Sequence, residues 1–558
     1  MNTGVRARRR SDARETIGAR SSWTGWAAAC VLAALLAAQG LSASRQKSPV
    51  FDEPPHIASG LSYLASHVFY ANPQHPPLLK ELSAWSLHRA GVWWPTTSVA
   101  TQLIQGDPHA ANLEWQIGND IIAANPDRVL FWARLPFIVL ASALALVLFW
   151  WGRALFGTTA ALAAVCLFVL DPTVVAHSFL VTTDVGVTAF IVLFVALLWR
   201  YVHRPAPGWL AACGIVFGLA LGAKFSAVLL VPIAAALLAA AVRWPPAPRS
   251  GLRSYTSALI ALIAMAAIAV VVVEALYFFP ANPLLYLDGM TKVNADHAAD
   301  HQVFLNGELA DRFYSYFAAA YLLKTPIASM LLTAGGVVML WRRRAPLLTL
   351  FLLLPPVAFA AAATVGAADI GVRYMIPALP FAHLLGGWAA AALVRGRAAW
   401  MRPTAAVLSV WLVAAAAGIY PDHLAYFNEA ACLPEHASWI GLDGGARCGP
   451  LWLDDSNVDW GQGLKQLRAW LDVHASARTL HLMYFGSFPP VHYGVAAQEM
   501  PFVALVSRPP PGLYAVSAFW MGRVEAVINA ATPGRSSWLT DTAPTAIVGH
   551  AYYIYDIK

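Results

Sequence analysis

The chain has 558 residues, of which 58% are hydrophobic and only 12% are charged, about half the charged share of an average soluble domain. Its mean hydropathy is +0.56, which excludes a disordered protein, a coiled coil and an ordinary cytosolic enzyme. The net charge of +7 does not indicate nucleic-acid binding, because the arginines cluster beside long apolar runs, as they do in the cytoplasmic loops of membrane proteins.

Long apolar runs predict an α-helical polytopic membrane protein with about eleven transmembrane helices, since a helix needs about 20 apolar residues to cross a bilayer. The first run follows a basic tail, residues 1–23; a signal peptide cleaved near Ala43 is the alternative for this run. The expected spans lie within residues 24–420, at 24–42, 133–151, 154–170, 185–200, 207–222, 225–242, 256–279, 315–340, 346–365, 374–394 and 403–420.

The arginines between the spans predict the orientation of the chain. If residues 1–23 are cytoplasmic, the run Arg342 to Arg344 and the pair Arg395 and Arg397 are cytoplasmic as well. The opposite orientation would export nearly all of these charges. Three extracytoplasmic pieces are therefore expected, namely loops at about 43–132 and 280–314 and a tail at 421–558.

Residues 421–558, the tail domain, are predicted to form a small extracytoplasmic α/β domain. Leu464, Leu467 and Leu471 would share one face of an amphipathic helix within residues 461–474. Short apolar segments predict strands at 451–453, 479–485, 513–519 and 546–557.

Two of the five cysteines, Cys432 and Cys448, lie in the tail domain. An extracytoplasmic compartment permits a disulfide, and closing a loop of about 15 residues would stabilise the fold by about 3 kcal/mol. A bond and two free thiols both remain open from the sequence.

Carboxylates stand at the outer membrane edge in two places. Asp52 and Glu53 follow the first span, and Asp184 opens the fourth. Charges there are costly unless they are solvated, paired or functional, and counting the spans places both sites on the same side. The alternatives are a solvated loop for Asp52 and Glu53, and a helix N-cap for Asp184.

Three basic residues also fall toward the outer face, against the positive-inside trend. They are Lys224, Arg373 and Lys324. Positive charges at this depth suit a lipid phosphate whose tail stays in hydrocarbon. The alternatives are snorkelling and an ion pair within the chain, for example with Glu274.

Nine short motifs follow one another over about residues 50–550. They are Asp52-Glu53-x-x-His56-x-x-x-Gly60, His75-Pro76-Pro77-Leu78, His177-Ser178 with Thr182-Thr183-Asp184, Gly222-Ala223-Lys224-Phe225-Ser226, His301 with Phe304-Leu305-Asn306-Gly307-Glu308, Lys324-Thr325-Pro326, Arg373-Tyr374, Tyr426-Phe427-Asn428-Glu429 and Asp455-Ser456-Asn457-Val458-Asp459-Trp460-Gly461-Gln462. This ordered set resembles the polyprenol-phosphate-sugar-dependent glycosyltransferases of the GT-C superfamily, of bacterial type. That family includes protein O-mannosyltransferases and lipid A aminoarabinose transferase. Asp300 and Gly463 depart from its pattern.

The resemblance implies an enzyme that transfers a hexose or pentose from a polyprenyl-phosphate donor to a protein, lipid or glycan acceptor. The reaction would take place on the extracytoplasmic side of the bacterial inner membrane and would invert the anomeric centre. No nucleic-acid partner is expected. Asp52 would be the catalytic base, and Glu53 and Asp184 would orient the acceptor, the sugar or a divalent cation such as Mg²⁺ or Mn²⁺. Lys224, Arg373 and Lys324 would bind the donor phosphate, and the substrate contacts would be His56, His75, His177 and His301.

Two other functions fit parts of the sequence. A transporter or flippase of a lipid-linked sugar would also bind such a lipid, but transporter sites usually lie near the bilayer midplane between repeated halves. An assembly subunit would explain the tail domain but not the outward charges. Within the tail domain, residues 455–462 would either bind the acceptor or cap the membrane domain.

Overall fold

The computed structural model describes residues 3–105, 112–246, 252–295, 302–475 and 478–558, with side chains from residue 23 onward except at 294 and 295. Helices dominate the chain up to residue 418. They are α1 (Thr3–Gln46), α2 (Glu53–Ser66), α3 (Leu78–Arg89), α4 (Ser98–Gln105), α5 (Leu113–Ala124), α6 (Pro126–Phe156), α7 (Thr158–Val169), α8 (Pro172–His177), α9 (Asp184–His203), α10 (Pro207–Ala223), α11 (Leu230–Arg243), α12 (Tyr255–Leu276), α13 (Leu285–Ala295), α14 (Tyr316–Lys324), α15 (Ile327–Arg343), α16 (Pro346–Gly366), α17 (Leu379–Arg395) and α18 (Met401–Gly418).

Among the described residues, eight helices are long and apolar enough to cross a membrane. A ninth span is counted if α14 and α15, which meet at 111°, are taken together. The bend falls at Pro326, as expected because a proline disfavours helical geometry in the residue before it. The shorter apolar helices α7 and α10 account for the remaining two predicted spans. All eleven predicted segments are thus helical, and the chain is an integral membrane protein.

The membrane helices approach one another closely where glycine replaces a side chain. A Cβ atom on Gly336 of α15 would lie 2.2 Å from the carbonyl oxygen of Leu385 in α17, so any larger residue would push the two helices apart. Small residues serve this purpose in membrane interiors, because close van der Waals packing drives helix association there.

The two loops that are predicted to be extracytoplasmic have their own structure. Helices α2 to α5 fill the first loop, and α2 begins at Glu53 with Pro54 and Pro55 in its first turn, where proline is tolerated. The second loop carries α13 and a hairpin of β1 (Val303–Leu305) and β2 (Glu308–Ala310). The first loop therefore places Asp52 at the start of a buried helix.

The tail domain contains a five-stranded mixed sheet of order β4-β3-β5-β7-β6. Its strands are β3 (Leu480–Met483), β4 (Ala497–Glu499), β5 (Gly512–Ser517), β6 (Ala546–Val548) and β7 (Tyr552–Ile557), and its helices are α19 (Gly449–Trp452), α20 (Leu464–His474), α21 (Val503–Val506), α22 (Ala518–Ala531) and α23 (Trp538–Asp541). Strand β3 is parallel to β4 and β5, whereas β7 is antiparallel to β5 and β6. The sheet and the small α/β tail agree with the predicted fold class.

Most of the tail's predicted elements lie where the sequence placed them. Leu464, Leu467 and Leu471 are all buried on α20. The question that the sequence leaves open for the two cysteines is resolved by a Cys432–Cys448 disulfide, with their Cα atoms 5.3 Å apart. The predicted strand at 451–453 is wrong, because residues 449–452 form α19 with Pro450 in its first turn. A three-residue apolar run cannot distinguish a strand from a helix, and the proline favours a helix start.

Candidate active site

Four charged side chains meet at one end of the helix bundle, which we call the site end. Asp52 immediately precedes α2, and Asp184 is the first residue of α9. Lys224 follows α10, and Arg373 lies in the 3₁₀ turn before α17. These positions at helix ends bring residues that are far apart in sequence into two ion pairs.

The first ion pair joins Asp52 and Arg373. Their Oδ2 and Nη1 atoms are 2.8 Å apart, and the side chains are 24% and 11% exposed. The guanidinium also lies 4.5 Å from the ring centroid of Trp460. Within the described part of the chain, its Nε–H has no hydrogen-bond partner. Arg373 can therefore hold Asp52 and still donate to a further group.

The second ion pair joins Asp184 and Lys224, whose Oδ1 and Nζ atoms are 2.6 Å apart. Asp184 is only 2% exposed, and the ammonium lies 4.6 Å from the ring centroid of Tyr374. The N-cap of α9 is Thr183, so Asp184 does not occupy the capping position. Lys224 pairs with this carboxylate and not with Glu274.

Glu53 forms a buried ion pair that connects separate parts of the fold. Arg134 donates to both of its oxygens, at 2.8 and 2.6 Å, and both side chains are completely buried. The backbone N–H groups of Val50 and Val181 also donate to Glu53. These contacts join the start of α2 to α6 and to the segment before α9. The predicted contact of Glu53 with a substrate stays a prediction.

Sequence reasoning missed Arg134, although an arginine within a predicted span is a signal in itself. Its guanidinium also donates to the backbone oxygens of Ser44, Lys47 and Ser48. Arg134 therefore fixes the stretch that leads from the first span to Asp52.

Of the four predicted substrate histidines, His56 and His177 lie buried near these pairs, and His75 is half-buried beside His56. His56 Nδ1 is 2.8 Å from the carbonyl oxygen of Val181, and its ring is 5.3 Å from that of His75. Burial, reinforced by Lys80, lowers the pKa of His56 to about 4, and burial also lowers the pKa of His75 well below its usual range. Both rings are therefore neutral at pH 7. His301 lies outside the described residues.

The third histidine, His177, has a buried ring nitrogen that is open to a further partner. Burial lowers its pKa to about 4, against the opposing influence of Asp184. Its Nδ1 has no hydrogen-bond partner among the residues that the structure describes. A neutral ring with a free nitrogen can bind a hydroxyl group.

Lys324 lies deeper than the other two predicted phosphate ligands. It is buried, and its ammonium donates to the carbonyl oxygens of Leu424 at 2.7 Å and Asn457 at 2.6 Å. It also lies 4.4 Å from the ring centroid of Phe427. These contacts tie the bent helix pair to the tail domain, and the predicted phosphate contact of Lys324 stays a prediction.

Residues 454–462, the tail segment, lie directly on the site. Asn457 Oδ1 accepts from the N–H of Val372 at 2.9 Å, and the Trp460 carbonyl accepts from the N–H of Phe51 at 2.8 Å. The tail segment therefore contacts the chain immediately beside both Arg373 and Asp52. Either predicted role of this segment, acceptor binding or capping, would act at the ion pair itself.

Asp455 belongs to the same cluster, which sequence reasoning did not place. It is 9% exposed, with a left-handed backbone at φ +53°. Burial raises its pKa to about 6, while Arg373 opposes the rise and Asp52 adds to it. The motif of residues 455–462 was the available signal, but spacing alone could not place it beside Asp52.

The predicted divalent cation has no evident ligand set. Across the described ranges, no group of three or more His, Cys, Asp or Glu side chains is arranged to hold a metal ion. Asp300 and His301, which belong to the predicted second loop, lie outside those ranges. No chemical step is therefore assigned to a cation.

Residues 122–273 match the family model described as dolichyl-phosphate-mannose-protein mannosyltransferase. The matched region contains Arg134, Asp184 and Lys224. This match confirms the predicted resemblance to the polyprenol-phosphate-sugar-dependent glycosyltransferases for that part of the chain. No curated protein matches the sequence significantly.

Solved structures of two proteins resemble the chain over most of its length. One is ArnT from Cupriavidus metallidurans bound to undecaprenyl phosphate, with 14% identity, a TM-score of 0.46, and coverage of 95% of this chain and 98% of ArnT. The other is the archaeal oligosaccharyltransferase AglB from Archaeoglobus fulgidus in complex with an inhibitory peptide and a dolichol-phosphate. It has 11% identity, a TM-score of 0.44, and coverage of 87% of this chain and 69% of AglB. At these TM-scores, neither likeness assigns an activity to this chain.

Proposed function

We propose that the chain is an integral-membrane glycosyltransferase that moves a sugar from a polyprenyl-phosphate donor to an acceptor hydroxyl on the extracytoplasmic side of a bacterial inner membrane. The observation that carries the proposal is the meeting of the Asp52–Arg373 and Asp184–Lys224 pairs at one end of the helix bundle. Arg373 also interacts electrostatically with Asp184. The two pairs thus form one site with two carboxylates and two cations.

Arg373 and Lys224 would bind the donor phosphate. Arg373 has a buried Nε–H without a partner within the described ranges, and an ammonium has three N–H donors, of which Asp184 takes one in the pair described above. The phosphate gains a second negative charge when the sugar leaves. Fixed cations at that position stabilise the developing charge in the transition state.

Asp52 would act as the general base. It is the more exposed carboxylate of the two pairs, so an acceptor hydroxyl can reach it. In the reaction, Asp52 takes the hydroxyl proton while the acceptor oxygen bonds to the anomeric carbon and the bond from that carbon to the phosphate oxygen breaks. Because phosphate leaves readily, no general acid is needed, in contrast to glycoside hydrolysis. A single displacement of this kind inverts the anomeric centre.

Asp184 and His177 would orient the sugar. Asp184 is buried beside Lys224, where its second oxygen can accept from a sugar hydroxyl. His177 offers a free ring nitrogen close to the same cluster. Both groups would act through hydrogen bonds and not through proton transfer.

The tail domain would complete the site from outside. Its tail segment holds the backbone next to Asp52 and Arg373, and Trp460 packs against the guanidinium. Lys324 fastens this segment to the membrane domain. The tail domain would therefore be required for activity even if it makes no contact with the acceptor.

The proposal is tested by transfer assays in purified membranes with labelled polyprenyl-phosphate hexoses and pentoses. Wild type is compared with Lys224→Ala and with the control Lys465→Ala, which removes the ion pair of a half-buried lysine with the exposed carboxylate of Asp127. Loss of one charge-stabilising donor typically slows catalysis by about 100-fold. We expect that loss for Lys224→Ala and none for Lys465→Ala.

Two outcomes would contradict the proposal. Movement of the donor between leaflets without transfer to any acceptor would identify a flippase. A product with retained anomeric configuration would reject the single displacement, although the chain would still be a glycosyltransferase.

A further inference from the structure

A second candidate binding site lies at the end of the helix bundle opposite the site end. A cavity of about 840 Å³ opens there between the end of α11, the end of α15 and the start of α16. Helix α15 begins next to Lys324 and ends at Arg343, so its 17 residues separate the two ends by about 25 Å. The cavity is therefore distinct from the proposed active site.

The lining of this cavity combines two kinds of surface. Its walls are apolar and include Val337, Leu350 and Leu353, and its rim carries Arg342 and Arg344. Two tryptophans, Trp244 and Trp341, also border it. Tryptophan is enriched at membrane–water interfaces, and arginine there attracts anionic headgroups.

The three consecutive arginines at this helix end are not equivalent. Arg342 and Arg344 line the cavity, whereas the guanidinium of Arg343 lies over the ring of Trp388, 5.6 Å from its centroid. In the part of the chain that the structure describes, neither Arg342 nor Arg344 forms an ion pair with a carboxylate. Among the described residues, no carboxylate therefore neutralises the positive charge of the two cavity arginines.

We propose that this cavity binds an anionic phospholipid, with its phosphate at Arg342 and Arg344 and its acyl chains along the apolar walls. Charge complementarity selects the headgroup, since the lining contains two arginines and no acidic residue. The apolar walls select a lipid over a soluble anion. The site would load from the leaflet opposite the active site and is independent of the proposed transferase activity.

The test measures lipid binding to the purified full-length protein by native mass spectrometry, with phosphatidylglycerol and phosphatidylcholine titrated separately. A basic group near an anionic membrane surface contributes about a five-fold preference. We therefore expect the double variant Arg342→Gln/Arg344→Gln to lose about 25-fold in phosphatidylglycerol affinity and little in phosphatidylcholine affinity. Arg343→Gln, from the same run, is the matched control and should retain wild-type binding.

Several results would overturn the proposal. Equal losses in Arg343→Gln and in the double variant would indicate general attraction to a basic surface. Displacement of the lipid by inorganic phosphate would indicate a simple anion site. Unchanged lipid affinity after Thr349→Trp, which places a large ring in the cavity, would place the lipid elsewhere. Unfolding of the double variant is detected by its melting temperature, and the single variants Arg342→Gln and Arg344→Gln then provide the comparison.

Discussion

Two neighbouring carboxylates, Asp52 and Glu53, are both paired with an arginine, yet their surroundings differ. Glu53 is completely buried, and two guanidinium bonds and two backbone N–H groups hold its oxygens. Asp52 is 24% exposed and is held by Arg373. Residue type and position along the chain therefore do not distinguish these two carboxylates, whereas their burial and their number of partners do.

The arginines differ in the same way. Arg134 uses its N–H groups on Glu53 and on backbone oxygens of the preceding stretch. Arg373 keeps one buried N–H group unpartnered among the described residues. We therefore expect the Glu53–Arg134 pair to maintain the fold and the Asp52–Arg373 pair to perform chemistry.

The largest expected effect is the loss of transfer activity when the Asp52–Arg373 pair is changed. Asp52→Asn keeps the size of the side chain but removes its ability to accept a proton, so transfer should fall by about 10²- to 10⁴-fold. The melting temperature should change little, because the asparagine oxygen can still accept from Arg373. Transfer rates and thermal unfolding of the same purified protein check this. Full activity in Asp52→Asn would remove Asp52 from the mechanism.

A change in the buried Glu53–Arg134 pair should lower the stability of the protein and not its transfer activity. Glu53→Gln leaves the Arg134 charge buried without a counter-charge, and breaking a buried pair costs about 3–5 kcal/mol. We expect a lower melting temperature and a lower yield of folded protein. The transfer rate per folded molecule should stay near that of wild type. A Glu53→Gln variant that folds normally but has lost activity would break the comparison and give Glu53 a direct role.

The sequence predicted the helices better than the contacts between them. Hydropathy located all eleven apolar segments because each span depends on its own composition. It could not pair Asp52 with Arg373, which lie 321 residues apart. Counting the spans placed both residues outside the membrane, and only the fold brings them together.

The same limit applies to the buried groups. The motif at residues 455–462 was recognised, but its position beside Arg373 depends on hydrogen bonds from Val372 and Phe51. The sequence predicts Lys324 as a phosphate ligand but not its two hydrogen bonds to the carbonyl oxygens of Leu424 and Asn457. Local patterns give the type of a side chain, whereas its partners are set by tertiary packing.

The Cys432–Cys448 disulfide stabilises the tail domain and contacts none of the four charged residues of the proposed active site. Replacing Cys432 and Cys448 by serine should lower the stability of the tail by about 3 kcal/mol, from the entropy of the opened loop. Activity of the folded fraction should persist at low temperature. Thermal unfolding with and without reductant checks this, with Cys30→Ser as the control because Cys30 is a free thiol. Unchanged unfolding in the double variant would show that the link does not limit stability.

The smallest expected effect is on the stability contributed by Asp422, a carboxylate that pairs with two basic side chains. Lys47, at the end of the first span, and His550 of the tail domain both pair with Asp422, and His550 also pairs with Asp443. These hydrogen bonds and charges outweigh desolvation and raise the pKa of His550 to about 9.

Because the folded-state pKa of His550 is raised, its stabilising contribution is complete below about pH 6.5 and is lost as the pH rises through about 9. His550→Gln should therefore lower the melting temperature most at pH 6, and the difference from wild type should shrink by pH 10. His474→Gln, on α20, should show no such trend. A wild-type advantage in melting temperature that persists at pH 10 would mean that His550 stabilises the tail by packing and not by its charge. The Asp422 cluster would then share with the Glu53–Arg134 pair its burial but not its dependence on ionic contacts.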